Sequence, residues 1–183
     1  MASQKDRALD AYLAAGAAAG DRVLTRRLVA RWTPRLSALA WRLLGHAEGV
    51  EDVVQDAWIE ILKGVSRLRA VEAFPAFAFR ITQRRCARRI RSMQADRRLE
   101  QAVEAEPAPA PDDPDQSLDA GKAVRAMAAL PPDQHAALWL HHIEGLSVGE
   151  IALSLDVPAG TVKTRLMHGR RKLAALLRGG DHE

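Results

Sequence analysis

Residues 100–119, EQAVEAEPAPAPDDPDQSLD, divide this chain. Pro107, Pro109, Pro111 and Pro114 withhold backbone donors and favour extended backbone. No large apolar residue follows Val103 until Leu118, so nothing there offsets the entropy of ordering the segment. The stretch carries seven carboxylates and no base. It reads as a flexible acidic linker, the alternative being an ordered loop lying across one domain. A chain of 183 residues accommodates one domain or two small ones, and this segment favours two, at 1–99 and 120–183.

Charge follows the same division. Residues 1–99 hold 19 Lys and Arg against 10 Asp and Glu, and residues 120–183 hold 8 against 6. The pattern is two basic modules around an acidic tether. The single cysteine, Cys86, excludes an internal disulfide and lies on an apolar stripe, which suits a buried, inert thiol. No run of about 18 apolar residues is present, and the alanine-rich stretch near Ala11–Ala19 lacks a signal-peptide core. Membrane insertion is not expected, and the expected location is the cytoplasm.

Outside the linker the sequence predicts an all-α fold. Alanine, leucine and arginine dominate, glycine and proline stand at breaks, and no β-branched alternation appears. Leu24, Leu28, Trp32, Leu36, Leu39 and Leu43 keep helical spacing across Pro34 and end near Gly45. Val53, Val54, Ala57, Trp58, Ile61 and Leu62 form the apolar face of a second helix ending near Gly64. A third runs over Phe74–Met93, with Pro75 in its first turn, where a missing N–H costs nothing.

The third helix carries six arginines within twelve residues: Arg80, Arg84, Arg85, Arg88, Arg89 and Arg91. Arg80, Arg84, Arg88 and Arg91 share a face, with Arg85 and Arg89 beside them. Phe79, Thr82, Cys86, Ile90 and Met93 line the opposite face. A strip of guanidinium groups suits a phosphate backbone, since each stays charged and offers a planar fork of donors. It also describes a solvated charged face. On the second helix Asp52, Gln55 and Asp56 form a polar row. No histidine or third carboxylate completes a metal site there, so the row suits protein docking or solvent.

The C-terminal module predicts a helix-turn-helix. Ser147 and Glu150 form a capping box ahead of a short helix with Ile151, Ala152 and Leu155 as its apolar face. A turn at Asp156-Val157-Pro158 leads into a longer helix from about Pro158 to Leu177, with Val162, Leu166, Leu173 and Leu177 facing inward. Thr161, Lys163, Thr164, Met167 and His168 lie outward near its start, where such helices meet base edges. Arg165, Arg170, Arg171 and Lys172 are placed for phosphates. His141 and His142 are adjacent and point about 100° apart, so they do not make one metal face. No zinc, Walker or nucleophile-elbow motif is present, and nothing pairs a nucleophile with a base, so no enzyme or cofactor is expected.

AEGVEDVVQDAWIEIL resembles the polymerase-binding helix of bacterial RNA polymerase sigma factors. FPAFAFRITQRRCARRIRS resembles the next helix of that family, which contacts the promoter −10 element. LPPDQHAALWLHHIEGLSVGEIALSLDVPAGTVKTRLMHGRRKL is similar to its −35-binding domain. The order of parts, with a short linker and no middle domain, resembles the extracytoplasmic-function (ECF) group over about Gly20 to Leu177. The resemblance implies that Asp52, Gln55 and Asp56 dock on the clamp helices of the largest polymerase subunit, with the flap as a further contact. It implies that Arg80 and its helix melt the −10 element, where a flipped base is held. It implies that Lys163, Thr164, Met167 and His168 read the −35 element, and that an anti-sigma factor holds the protein inactive. There are departures: Arg84 stands where the family usually has asparagine, His168 where it often has arginine. The family's F-R-x-W-L-x-R-I-A reads here as Phe74-Pro75-Ala76-Phe77-Ala78-Phe79-Arg80-Ile81-Thr82. The alternatives are a polymerase-independent helix-turn-helix regulator, which needs a dimerisation element or effector pocket, and a metal-dependent nuclease using Asp52 and Asp56, which lacks a full ligand set.

Overall fold

A computed structural model describes residues 4–101, 126–127 and 129–179. Among these residues every regular element is helical. In chain order they are α1 (Gln4–Ala18), α2 (Arg22–Leu44), α3 (Val50–Gly64), α4 (Phe74–Gln101), α5 (Pro132–His142), α6 (Val148–Leu155) and α7 (Ala159–Gly179), with short 3-10 turns at Val65–Arg67 and Val71–Ala73. The linker read from the sequence lies outside the described residues, apart from its first two. Those two belong to α4, which runs on past Met93.

The helix ends follow local chemistry. Asp21 caps α2, its carboxylate accepting from Val23 N at 2.7 Å and Leu24 N at 2.9 Å. Gly45 ends α2 in the left-handed region (φ 81°), which only a residue without a Cβ enters cheaply. Pro34 stands exposed within α2, and the helix runs on through it as the apolar spacing across it predicts.

Trp32 is the centre of the N-terminal packing. Its ring meets Phe74 edge-on at 4.9 Å and Phe79 at 5.3 Å. Val53, Val54, Ala57, Trp58 and Ile61 bury the inner face of α3, and Trp58 Nε1 donates to Thr33 Oγ1 of α2 at 3.0 Å. Leu62 was expected inward but is exposed, at the end of the Val54–Trp58 row near the C-terminus of α3. On α4, Phe79, Thr82 and Cys86 are buried. The Thr82 hydroxyl donates back to the Ala78 carbonyl at 3.0 Å, which lets a polar side chain sit without solvent. Burial pushes the Cys86 thiol up to about 12 and makes it a poor nucleophile.

In the C-terminal module Ile151, Leu155, Val162 and Leu166 pack among Leu138, Leu140 and Leu146. Gly169 allows α7 to approach α5 closely, since a Cβ there would lie 2.9 Å from Leu138 Cδ1. Leu177 was expected inward but is exposed, and Leu173 is half-buried. The 11-residue α5 and 8-residue α6 are too short to cover a 21-residue helix to its end.

The sequence left the placement of the two modules open. In the structure α6 packs on α4 and α5 on α2. Phe79 and Trp139 meet edge-on across the seam at 5.7 Å, and the Arg42 guanidinium lies 4.7 Å from the Trp139 ring centre.

Candidate functional site

The amphipathic pattern of α3 sends Val53, Ala57 and Ile61 inward and leaves Asp52, Gln55 and Asp56 exposed on the other side. Asp52 stands in the first helical turn, where a carboxylate is favoured by the helix dipole. Asp56 is not isolated. Its Oδ2 lies 3.3 Å from Arg85 Nη1, while Arg85 Nε and Nη2 donate to Glu60 Oε2 at 3.1 and 2.9 Å. Arg84 reaches Glu60 at 3.8 Å. Arg85 therefore ties α4 to α3 beside the exposed row of Asp52, Gln55 and Asp56. Among the described residues no three histidine, cysteine or carboxylate side chains converge on a point that would hold a metal.

The arginine strip of α4 divides into two groups. Arg80, Arg84, Arg88 and Arg91 face solvent along one side. Arg85 is three-quarters buried by its ion pairs, and Arg89 is half-buried with its guanidinium against Gly49 in the turn before α3. Arg80 reaches across the seam to Asp156 Oδ1 at 3.3 Å. The sequence shows the strip but not its partners, which lie on other helices.

The helix-turn-helix is built from its cap onward. Ser147 Oγ accepts from Glu150 N at 3.3 Å and Glu150 Oε2 accepts from Ser147 N at 2.7 Å, closing the capping box. Asp156 ends α6 in the left-handed region (φ 55°), which a short polar side chain tolerates. Val157 N donates to Ala152 O at 3.1 Å, and the chain turns into α7. On α7, Lys163, Thr164, Met167, Arg170 and Arg171 are exposed, and Thr161 and His168 are half-buried. Arg165 is held by Asp133 of α5, Nε to Oδ2 at 3.0 Å, so it links two helices of the module. Arg170 Nε donates to His142 Nε2 at 3.4 Å. Burial, then His141, then Arg170 lower the proton affinity of His142, which leaves it free to accept.

Beneath this surface His135 packs edge-on to Trp41 at 6.2 Å. Burial, with a smaller push from Arg42, holds its pKa down to about 4. The folded protein keeps His135 neutral while the unfolded chain protonates it below its ordinary value of 6.5. Stability is expected to fall as pH drops from 6.5 towards 4 and to lose no more from this group below that. Melting temperature against pH checks this: His135→Gln should flatten the decline, and an unchanged slope would contradict it.

Sequence reasoning missed a third constellation. Asp10 of α1 is 2% exposed and accepts from Arg31 Nε at 2.7 Å, Trp32 Nε1 at 3.0 Å and Arg35 Nη1 at 2.8 Å. Arg35 continues to Glu144, itself 6% exposed, from Nε at 2.7 Å and from Nη2. Asp10 falls on the same helical stripe as Leu13 and Ala14, a signal that it faces the core. Nothing near Glu144 in sequence announces a partner 109 residues away.

One protein thus carries an exposed acid-and-amide row, an arginine-lined helix and a helix-turn-helix. Residues 28–96 match the family of sigma-70 region 2, and residues 121–173 match sigma-70 region 4. The chain is 32% identical over 168 residues to the ECF RNA polymerase sigma factor SigM of Mycobacterium tuberculosis, covering 92% of this chain and 84% of that protein. It is 28% identical to the ECF RNA polymerase sigma-E factor of Escherichia coli K12, covering 84% and 86%. Among solved structures, CnrH in complex with the cytosolic domain of CnrY superposes with a TM-score of 0.62 at 28% identity, covering 93% of this chain and 98% of that one. The sigma factor RpoE in complex with the anti-sigma factor NepR from Bartonella quintana has a TM-score of 0.67 at 23% identity, covering 84% and 96%, a likeness of fold.

These matches define a bacterial sigma factor of the sigma-70 class. Within that class the chain belongs to the ECF RNA polymerase sigma factors. It is a transcription initiation factor that binds core RNA polymerase and directs it to promoter DNA. Among the described residues no helix is long and apolar enough to cross a membrane.

Proposed function

We propose that the exposed α3 row of Asp52, Gln55 and Asp56 docks on the clamp helices of the largest polymerase subunit. Arg80, Arg84, Arg88 and Arg91 meet the −10 element, with Arg85 and Arg89 positioning their helix rather than holding phosphates. Lys163, Thr164, Met167, Thr161 and His168 read the −35 element, and Arg170 and Arg171 hold its backbone. Arg165 braces α7 against α5. Residues 1–99 and 120–183 act as the two modules, joined by the acidic segment, and the protein works in the cytoplasm without catalytic chemistry of its own. An anti-sigma factor regulates it, a reading supported by the solved relative RpoE, which was captured with one.

The observation that carries this reading is the pairing of α3 and α4. An acidic and amide row without apolar cover lies on one helix, and a solvent-facing arginine edge lies on the next. The first suits a basic protein surface and the second suits phosphate. Changing Asp52, Gln55 and Asp56 together to alanine opens no cavity, since all three are exposed. Affinity for core polymerase is expected to drop roughly tenfold or more, with circular dichroism unchanged. Unaltered affinity in a properly folded variant would refute the docking role.

A further inference from the structure

We propose that His142, the last residue of α5, is a DNA-backbone residue that joins Arg170 of α7 in a two-helix grip on one phosphate of the −35 element and takes up a proton as that phosphate seats. The inference rests on the reading of α7 as the −35-contacting helix.

The sequence puts two histidines side by side at the end of α5, and the structure gives them different work. About 100° separates them around the helix. His141 turns towards the following loop, where its Nδ1 lies 3.0 Å from the Leu146 carbonyl. A carbonyl only accepts, so that nitrogen carries the proton and His141 braces the turn before α6. His142 is exposed and turns towards α7, where its Nε2 accepts from Arg170 Nε at 3.4 Å. Gly169 lets α7 close on α5 one residue before Arg170 and so brings the two side chains within reach.

Arg170 differs from the arginines that brace this fold. Arg85 has Glu60 and Arg165 has Asp133, but among the described residues no carboxylate pairs with Arg170. Its Nε rests on an imidazole, and its two terminal nitrogens have no partner there. The surroundings supply no anion to His142 either. Helices α2, α6 and α7 pack against α5. On α2, Arg35 is held by Asp10 and Glu144, and Arg42 lies over Trp139 and beside His135. On α6, Glu150 is committed to Ser147 and Arg7. On α7, Arg165 is held by Asp133, and Arg171 Nη2 lies 3.4 Å from His168 Nδ1. His142 therefore faces an imidazole and a guanidinium, and these add to burial in holding its pKa below the ordinary 6.5.

A phosphate reverses that balance. Its free oxygens accept from the terminal nitrogens of Arg170 and from a protonated Nε2, and an anion between two cations removes their repulsion. The C-terminal end of a helix favours a cation at the same place. Binding then carries proton uptake. Affinity rises as pH falls from the pKa of His142 in the complex to its lower pKa in the free protein, and is level on either side.

The test uses holoenzyme assembled from core polymerase and the full chain, with a promoter fragment that it selects. Between about pH 8 and pH 6 binding should tighten roughly fivefold, and the salt dependence should steepen by about one phosphate contact. His142→Gln keeps an acceptor for Arg170 but does not titrate. It should melt like the wild type, lose that tightening and show one salt slope at both pH values. His142→Lys, charged throughout, should bind at pH 8 as the wild type does at pH 6. A neutral methylphosphonate at a single −35 phosphate should abolish the wild-type pH response and leave the Gln variant's profile unchanged. Identical pH profiles for the wild type and His142→Gln, or a wild-type response that survives neutralisation of every −35 phosphate in turn, would overturn the proposal. A fragment with a scrambled −35 element tests the underlying reading separately. If it binds holoenzyme as well as the intact promoter does, the assignment of α7 fails, whereas −35 dependence with identical pH profiles sinks only the role of His142.

Discussion

Asp10→Ala is expected to lower folding stability by roughly 3 kcal/mol, the low end of what breaking a buried ion pair costs. Asp10 is 2% exposed and accepts three hydrogen bonds, two of them from arginines. Alanine leaves the indole N–H of fully buried Trp32 without an acceptor, and an unmade buried hydrogen bond carries its full desolvation cost. Arg31 is 30% exposed and turns to water, and Arg35 keeps Glu144, which is why the loss stays near the low end. In a chain of this size the melting temperature should fall by about 6–12 °C. Asp10→Asn retains an acceptor for Trp32 and should cost less. Denaturant unfolding of the two variants checks the order. A loss under about 1 kcal/mol for alanine would mean that α1 is not anchored through this carboxylate.

The second large effect separates reading from holding on α7. Lys163 and Thr164 are exposed one turn inside its N-terminus, where helix-turn-helix proteins meet base edges. Arg170 and Arg171 are exposed nearly two turns farther on, where backbone contact is favoured. Replacing Lys163 and Thr164 should change which −35 sequences are used, at roughly 1–3 kcal/mol per lost base contact. Replacing Arg170 or Arg171 should weaken all promoters alike and reduce the salt dependence of binding. Transcription from a randomised −35 library decides between them. If the arginine variants shift the preferred sequence and the Lys163/Thr164 variant does not, the orientation of α7 on DNA is the reverse of this one.

What was legible in the sequence was what repeats locally. The burial of Phe79, Thr82 and Cys86 follows from their spacing, and so does the exposure of Arg80, Arg84, Arg88 and Arg91. The capping box of α6 is written in four consecutive residues. The sequence is silent where a residue's environment depends on a distant element. Arg85 and Arg165 look like their neighbours in sequence, but Glu60 and Asp133 sit opposite them in space. Leu177 has the right spacing for burial, but no helix of α5's length reaches it. The Asp10–Arg35–Glu144 relay joins residues 25 and 109 positions apart, and periodicity carries no information at that range. The matched helices were therefore readable as parts, while their docking was not.

The central claim is that this chain gives promoter specificity to core RNA polymerase and has little of its own. Two small DNA-contacting modules bind weakly when apart and gain effective concentration when one large partner holds both at a fixed spacing. The direct measurement compares binding to a promoter by the chain alone, by core polymerase alone and by the two together, with run-off transcription from the same template. The expected result is specific binding and a discrete transcript only in the combined sample. Tight, sequence-specific binding by the chain alone, with no gain on adding core polymerase and no transcript, would contradict the claim and favour a polymerase-independent regulator.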